Sequence, residues 1–330
     1  MKKAHYLPFY EPQFVCYNHL MCANAIIKAN VKEKLPILMT SKYINCYYKE
    51  DSINHKFVIS IYDHWCTAQK IMQNQSVNLL KEVYQSQNID MILMIKKMLC
   101  NNSYVFGQCN RIYIEPNSHE EDPPFNFVIS GFDDSKRVFI IHGLDMMEHF
   151  LCVECDYLKF VNSLFDTFKP NIAFTLWHYN TDVLIDFDLP NIIFELEDYV
   201  DSGNRRNHYI YDKVYGIKAI EKLADHIREN AEHNNYFYLK KLLLHKTYMK
   251  ERIECLIKYN FIECRWMKEA EDAEKNIQDA LYKLSLFYDS QNFSLIDQIS
   301  SLIIHTNEIE KNYLPIVLEN LKFHLNKNES

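Results

Sequence analysis

The chain has 330 residues, 48% of them hydrophobic and 14% aromatic, enough apolar material for one large or two ordinary domains. Lys plus Arg number 36 against 44 Asp plus Glu, a formal charge of -8 with no basic block, which argues against nucleic acid as a partner. Five scattered glycines exclude a P-loop, a dinucleotide fingerprint and a kinase-type glycine loop, and neither HExxH nor GxSxG occurs.

No run of about 18 apolar residues is present, and no apolar leader follows the two N-terminal lysines. The expectation is a soluble, cytoplasmic protein with no membrane partner, no cofactor and no metal. Its ten cysteines should be reduced rather than paired.

In chain order, the first informative stretch is FYEPQFVCYNHLMCANAIIKAN, residues 9–30. Pro12 keeps the chain extended through Val15, and helical spacing then begins at Cys16. A thiol at a helix N-terminus faces unpaired N–H groups and the positive end of the helix dipole, which favours the nucleophilic thiolate. The alternative for Cys16 is a small buried hydrophobe. Gln13 is a candidate oxyanion-hole donor. His19, one turn on, is expected to pack or to face solvent.

LPILMTSKYINCYYKE and HKFVISIYDHW read as extended. Helical spacing returns from Val77 to Leu99, and Tyr104 to Glu115 reads as a strand closed by Pro116. FNFVISGFDDSKRVFIIHGL is the strongest β-signal, two apolar runs joined by Asp-Asp-Ser-Lys as a hairpin. A further strand is expected over Phe150 to Cys155, then a short helix with Tyr157, Phe160 and Phe165, a strand from Asn171 to Trp177, and a helix in DLPNIIFELEDYV. From Val214 onward every segment has helical spacing, so the boundary between domains is placed at DSGNRRN, giving 1–200 and 201–330.

Two further clusters have competing readings. His142, His149, Cys152 and Cys155 have formal zinc-ligand spacing, yet a Cys-x2-Cys knuckle needs a turn and these cysteines fall in an expected strand. His245, Met249 and Arg252 share one face of a long helix. They would either wall a substrate-binding groove, with Arg252 offered to a phosphate, or hold an Arg paired with a carboxylate at a domain interface.

The Cys16 helix, the hairpin FVISGFDDSKRVFII and the tail segments YGIKAIEKL and HKTYMKERIECL together resemble the bacterial family that shares the papain-like N-terminal domain of butirosin biosynthesis protein H. The resemblance implies an α+β papain-like domain with an antiparallel sheet over residues 1–200, followed by an all-helical domain over 201–330. It implies transfer of an acyl or peptidyl group from a phosphopantetheine-borne carrier-protein thioester to an amine, in peptide-type secondary metabolism. Cys16 matches the nucleophile, and Gly131, Phe132 and Asp133 match the family's G-[YF]-D. The family's histidine, about six residues before that glycine, is replaced here by Phe125 with Asn126 beside it, and its orienting acid by His142.

Three readings follow. The chain is an acyltransferase whose base is His142, or His119 on the preceding loop; or it is a degenerate relative that binds a carrier domain, a peptide or a partner; or the likeness is accidental. The first is preferred, with Cys16 as nucleophile and His142 as base.

Overall fold

The computed structural model describes residues 3–11, 18–31, 35–40, 44–50, 55–59, 72–87, 89–115, 118–119, 122–146, 149–167, 171–180, 182, 185–203, 205, 213–231 and 235–329. Its first elements are strand β1 (Ala4–Tyr6), helices α1 (Asn18–Val31) and α2 (Leu35–Thr40), and strands β2 (Cys46–Glu50), β3 (His55–Ile59) and β4 (Met72–Leu80). Helices α3 (Lys81–Ser86) and α4 (Met91–Cys100) follow, then strands β5 (Ser103–Cys109), β6 (Phe125–Asp133), β7 (Val138–Leu144) and β8 (Phe150–Asp156). Helix α5 (Tyr157–Phe165), strand β9 (Asn171–Tyr179), helix α6 (Leu189–Val200) and strand β10 (Lys213–Tyr215) lead into α7 (Gly216–Glu229), α8 (Tyr236–Lys258), α9 (Trp266–Ser290) and α10 (Ser294–Glu329). The fold is α+β, with antiparallel sheets and a helical C-terminal region.

The chain divides into two compact units, each made of two separate stretches of sequence. The first comprises Met1–Glu33 and Trp65–Leu184, the second Lys34–His64 and Ile185–Ser330. This differs from the expected consecutive division 1–200 and 201–330. Ile44, Cys46, Tyr48, Phe57 and the α6 residues Leu189, Ile192, Ile193, Leu196 and Tyr199 are buried in one core with residues of α7, α8, α9 and α10. Residues before and after DSGNRRN contribute to the same core, so the break in periodicity there does not mark a domain boundary, because apolar packing rather than chain continuity defines a domain.

The first unit is built on an antiparallel sheet in the order β4-β9-β5-β6-β7-β8, with β1 pairing β6 at Gly131 to Asp133 beyond the end of β5. The expected hairpin is present, and Asp133 Oδ1 accepts from the Ser135 N–H, the Ser135 hydroxyl and the Lys136 N–H across its turn. That is the turn role Asp is suited to. Asp134 instead pairs with Lys96 and accepts from the Tyr157 hydroxyl at 2.9 Å. One face of the sheet is filled by aromatic rings, with Phe160 of α5 edge-on to Phe127 and Phe139 at 5.0 and 5.5 Å.

Two expected elements differ. Residues 72–80 form an edge strand that, among the described residues, pairs only with β9, and a break before Met91 separates α3 from α4, so Val77 to Leu99 is not one helix. Residues 35–40, expected as extended, form α2, with Pro36 in its first turn where a missing N–H costs nothing.

Candidate functional site

His142 lies on β7 and is directly paired with Val128 on β6 and Cys152 on β8. The row continues from Val128 to Phe106 on β5 and on to Thr175 on β9. Directly paired residues project to the same side of a sheet, so these side chains share one face, opposite the aromatic core. The β6 register shifts between Ile129 and Gly131, and bulges of this kind re-aim a side chain. Ser130 sits at that shift, its Oγ 2.7 Å from His142 Nε2.

The imidazole is enclosed. Phe9 stacks on it with ring centres 3.8 Å apart and planes 6° from parallel, and Phe150 stacks at 5.8 Å. His142 is 6% exposed, and desolvation lowers its pKa to about 4. It is therefore neutral near pH 7, with Nδ1 buried and without a hydrogen-bond partner among the described residues. Nδ1 is the nitrogen left to take a proton, and the burial that lowers the pKa opposes the charged ring that would result.

Cys16 and Gln13 lie outside the described residues, but the chain on either side is tied down. Leu7 N–H donates to the Ser130 carbonyl at 2.7 Å, the Tyr104 hydroxyl donates to the Pro8 carbonyl, and Tyr10 N–H donates to the Ala25 carbonyl at 3.5 Å. Helix α1, described from Asn18 onward, packs against β6, β7 and β9. Cys16 is two residues before Asn18, at most about 7 Å of extended chain.

Phe125, where the resemblance expects a histidine, is fully buried on the core side, and its ring occupies the space a Cβ at Gly143 would need, 2.4 Å away. Asn126 lies on the His142 face, where its Oδ1 accepts from Gln108 Nε2 at 2.8 Å. His119 is exposed on its loop. Cys152 is exposed and Cys155 buried, the opposite facing expected of strand residues three apart. Burial pushes the Cys46 and Cys109 thiols up to about 12 and those of Cys155 and Cys255 to about 11.

His245, Met249 and Arg252 do come together on α8, but they do not wall a groove. All three are at most 2% exposed inside the second unit. His245 Nε2 lies 2.8 Å from the Ile44 carbonyl, and Arg252 Nε donates to the Thr40 carbonyl at 2.7 Å. Their role here is to hold the 40–44 segment to α8, since a buried cation needs acceptors and backbone carbonyls supply them.

Sequence reasoning missed three features. Ser130 had one available signal, the glycine beside it inside a strand pattern, which marks bulges. Phe9 had none, because a stacking partner remote in sequence leaves no periodicity. The third is the fully buried ion pair in which Lys246 donates to Glu310 at 2.6 Å and to the Tyr199 hydroxyl at 2.9 Å.

Among the described residues no group of three or more His, Cys, Asp or Glu is arranged to hold a metal ion, and no helix is long and apolar enough to cross a membrane. No protein-family model and no curated protein matches the chain.

Proposed function

We propose that the first unit is a papain-like domain that moves an acyl or peptidyl group from a carrier-protein thioester to an amine, with Cys16 as nucleophile and His142 as its base. The observation that carries the reading is the state of His142. Its Nε2 is held by Ser130, while Nδ1 is buried and unpartnered among the described residues; α1 packs against β7, the strand that carries His142, and Cys16 lies two residues before Asn18, the first described residue of α1. Ser130 would act as a positioning residue, fixing the ring so that Nδ1 is the basic nitrogen. The donor and acceptor classes come from the resemblance in the Cys16 helix and the hairpin.

In the first step the Cys16 sulfur bonds to the acyl carbon, its proton passes to His142, and the carrier thiol leaves with that proton. In the second, the amine nitrogen attacks the new thioester, His142 takes the amine's proton, and Cys16 is released as a thiol. Atoms and electrons balance over the two steps with the thioester and the amine as the reactants.

A second reading, a non-catalytic scaffold that binds a carrier domain or partner, is favoured by Phe125 standing where a histidine is expected and by the burial of His142 in a cluster with the rings of Phe9 and Phe150. Alkylation separates the two. At pH 7, iodoacetamide should modify Cys16 at least about tenfold faster than the exposed Cys152 and Cys264, and His142→Gln should remove the difference. Equal rates at Cys16 and Cys264 would leave the scaffold reading.

A further inference from the structure

A cleft of about 710 Å³ opens in the first unit, floored by β5, β6 and β9 and bounded by the connections at 110–111, 122–124 and 164–167. None of Phe9, Ser130, His142 and Phe150 lines it, so it is a site apart from the one described above. Phe106, Pro123, Pro124, Leu164, Ile172 and Ala173 give it a largely apolar lining. The Phe106 ring is fixed by stacking on Trp177, with centres 4.7 Å apart and planes 8° from parallel.

Most of the polar groups around the cleft are already satisfied by one another. Gln108 Nε2 donates to Asn126 Oδ1 at 2.8 Å, and Asn110 Oδ1 accepts from the Ile112 N–H at 3.1 Å while its Nδ2 donates to the Asp166 carbonyl at 2.9 Å. Two neighbouring cations are committed too. Arg111 Nη1 pairs with Glu115 at 2.5 Å and donates to the Leu144 carbonyl at 3.2 Å, and its Nε donates to the Pro123 carbonyl at 3.1 Å. Lys81 Nζ, at the 164–167 rim, donates to the Phe165 and Thr167 carbonyls at 2.7 Å and to the Thr167 hydroxyl at 2.9 Å. An anion would have to take one of these cations from its present acceptors.

The charged groups left over accept and do not donate. Asp122 Oδ2 takes the His119 N–H at 2.7 Å, and Asp166 Oδ2 takes the Tyr113 hydroxyl at 3.0 Å and Asn110 Nδ2 at 3.2 Å. These bonds leave each carboxylate its charge, and the second oxygen of each has no hydrogen-bond or ion-pair partner among the described residues. A third acceptor in the lining, Asn171 Oδ1, is buried and without a partner among the described residues. All three stand at one end of the cleft. Asp166 is bonded to Asn110, just past β5; Asp122 precedes Pro123, whose carbonyl takes Arg111; and Asn171 opens β9, which runs antiparallel to β5 and so starts where β5 ends. An ammonium group, with a positive charge, three donors and no acceptor, matches that set.

We infer that the cleft binds a small primary amine carried on an uncharged apolar body, the ammonium among Asp122, Asp166 and Asn171 and the body over Phe106 and Ala173. The volume falls in the range that holds a drug-sized ligand. The site makes no use of Cys16 or His142 and stands independently of the function proposed above.

Titration calorimetry on the full chain at pH 7 tests it with three probes that share an indole body: tryptamine, tryptophol and indoleacetate. Tryptamine should bind at least about tenfold tighter than tryptophol, and indoleacetate more weakly than either. Raising the salt concentration should weaken tryptamine and leave tryptophol unchanged. Asp122→Asn with Asp166→Asn keeps the shape and the acceptor oxygens while removing both charges, and should lower tryptamine affinity at least about tenfold with tryptophol held within about twofold. Ala173 is exposed on the open face, so Ala173→Trp should fill the cleft without disturbing the core and weaken both probes at least about tenfold.

Equal binding of the three probes, absence of tryptamine binding, or a preference for the amine that survives the double Asp→Asn change would overturn the inference. Cys16→Ser should leave tryptamine affinity within about twofold. Loss of selective Cys16 alkylation with tryptamine binding intact would therefore remove the chemistry and keep the amine site, whereas the reverse result would remove the amine site alone.

Discussion

Burial gives His142 its character, and the same burial makes it a pH-dependent element of stability. Its pKa is about 4 in the folded chain against an ordinary 6.5, so folding favours the neutral ring. The stabilisation is fully present above pH 6.5 and is lost as pH falls from 6.5 toward 4. It amounts to about 3 kcal/mol at most. Urea unfolding of the wild type should accordingly lose stability between about pH 7 and pH 5, and His142→Gln should lose less over that interval. His245, whose pKa is lowered well below the ordinary value by its own burial, contributes in the same direction and remains in the variant. Ser130→Ala tests positioning separately. It strips Nε2 of its partner, at about 1–3 kcal/mol of stability, and the pH profile of Cys16 alkylation should shift with it. A purely structural serine would leave that profile in place.

At the scale of elements, the hairpin was legible because two short apolar runs, the first buried from Phe127 to Phe132, flank a polar four-residue turn, and the long helices because their stripes recur for several turns. The edge strand β4 was not. Its residues Gln73, Asn74, Gln75 and Ser76 are exposed, so no buried face imposed a period of two, and pairing with β9 decided its form. Cys16 and the Gly131-Phe132-Asp133 run could be named from sequence, but the Ser130 and Phe9 contacts to His142 exist only once the sheet and the N-terminal segment meet.

Two junctions in the second unit make further predictions. Gly216 opens α7 at φ +57°, and a Cβ there would fall 2.1 Å from the Tyr199 carbonyl oxygen. Gly216→Ala should cost about 3 kcal/mol or more in chemical unfolding, through both the left-handed backbone and the clash. Lys246→Met should cost about 3–5 kcal/mol by leaving Glu310 charged and buried without its counter-ion, although the Tyr199 hydroxyl still donates to it, and adding Glu310→Gln should recover part of it. A double-mutant cycle measures that coupling directly.

The division of the whole molecule carries its own prediction. A fragment of residues 201–330 alone lacks Ile44, Cys46, Tyr48, Phe57 and all of α6, which belong to the core of that unit. It also leaves His245 and Arg252 without the carbonyls of Ile44 and Thr40. Such a fragment should show helical circular dichroism without a cooperative thermal transition. Supplying 185–330 together with 34–64 as a linked chain should restore the transition.

The interleaving of the two units also sets an order of assembly during synthesis. Residues 34–64 leave the ribosome early, yet the surface that covers Phe57 and Tyr48 is made from helices translated more than a hundred residues later. Until then this short stretch presents unsheltered aromatic strand to the cell, the kind of nascent segment that invites chaperone capture or clumping. Slowing translation ahead of α8 would lengthen that exposure and lower the yield of native protein.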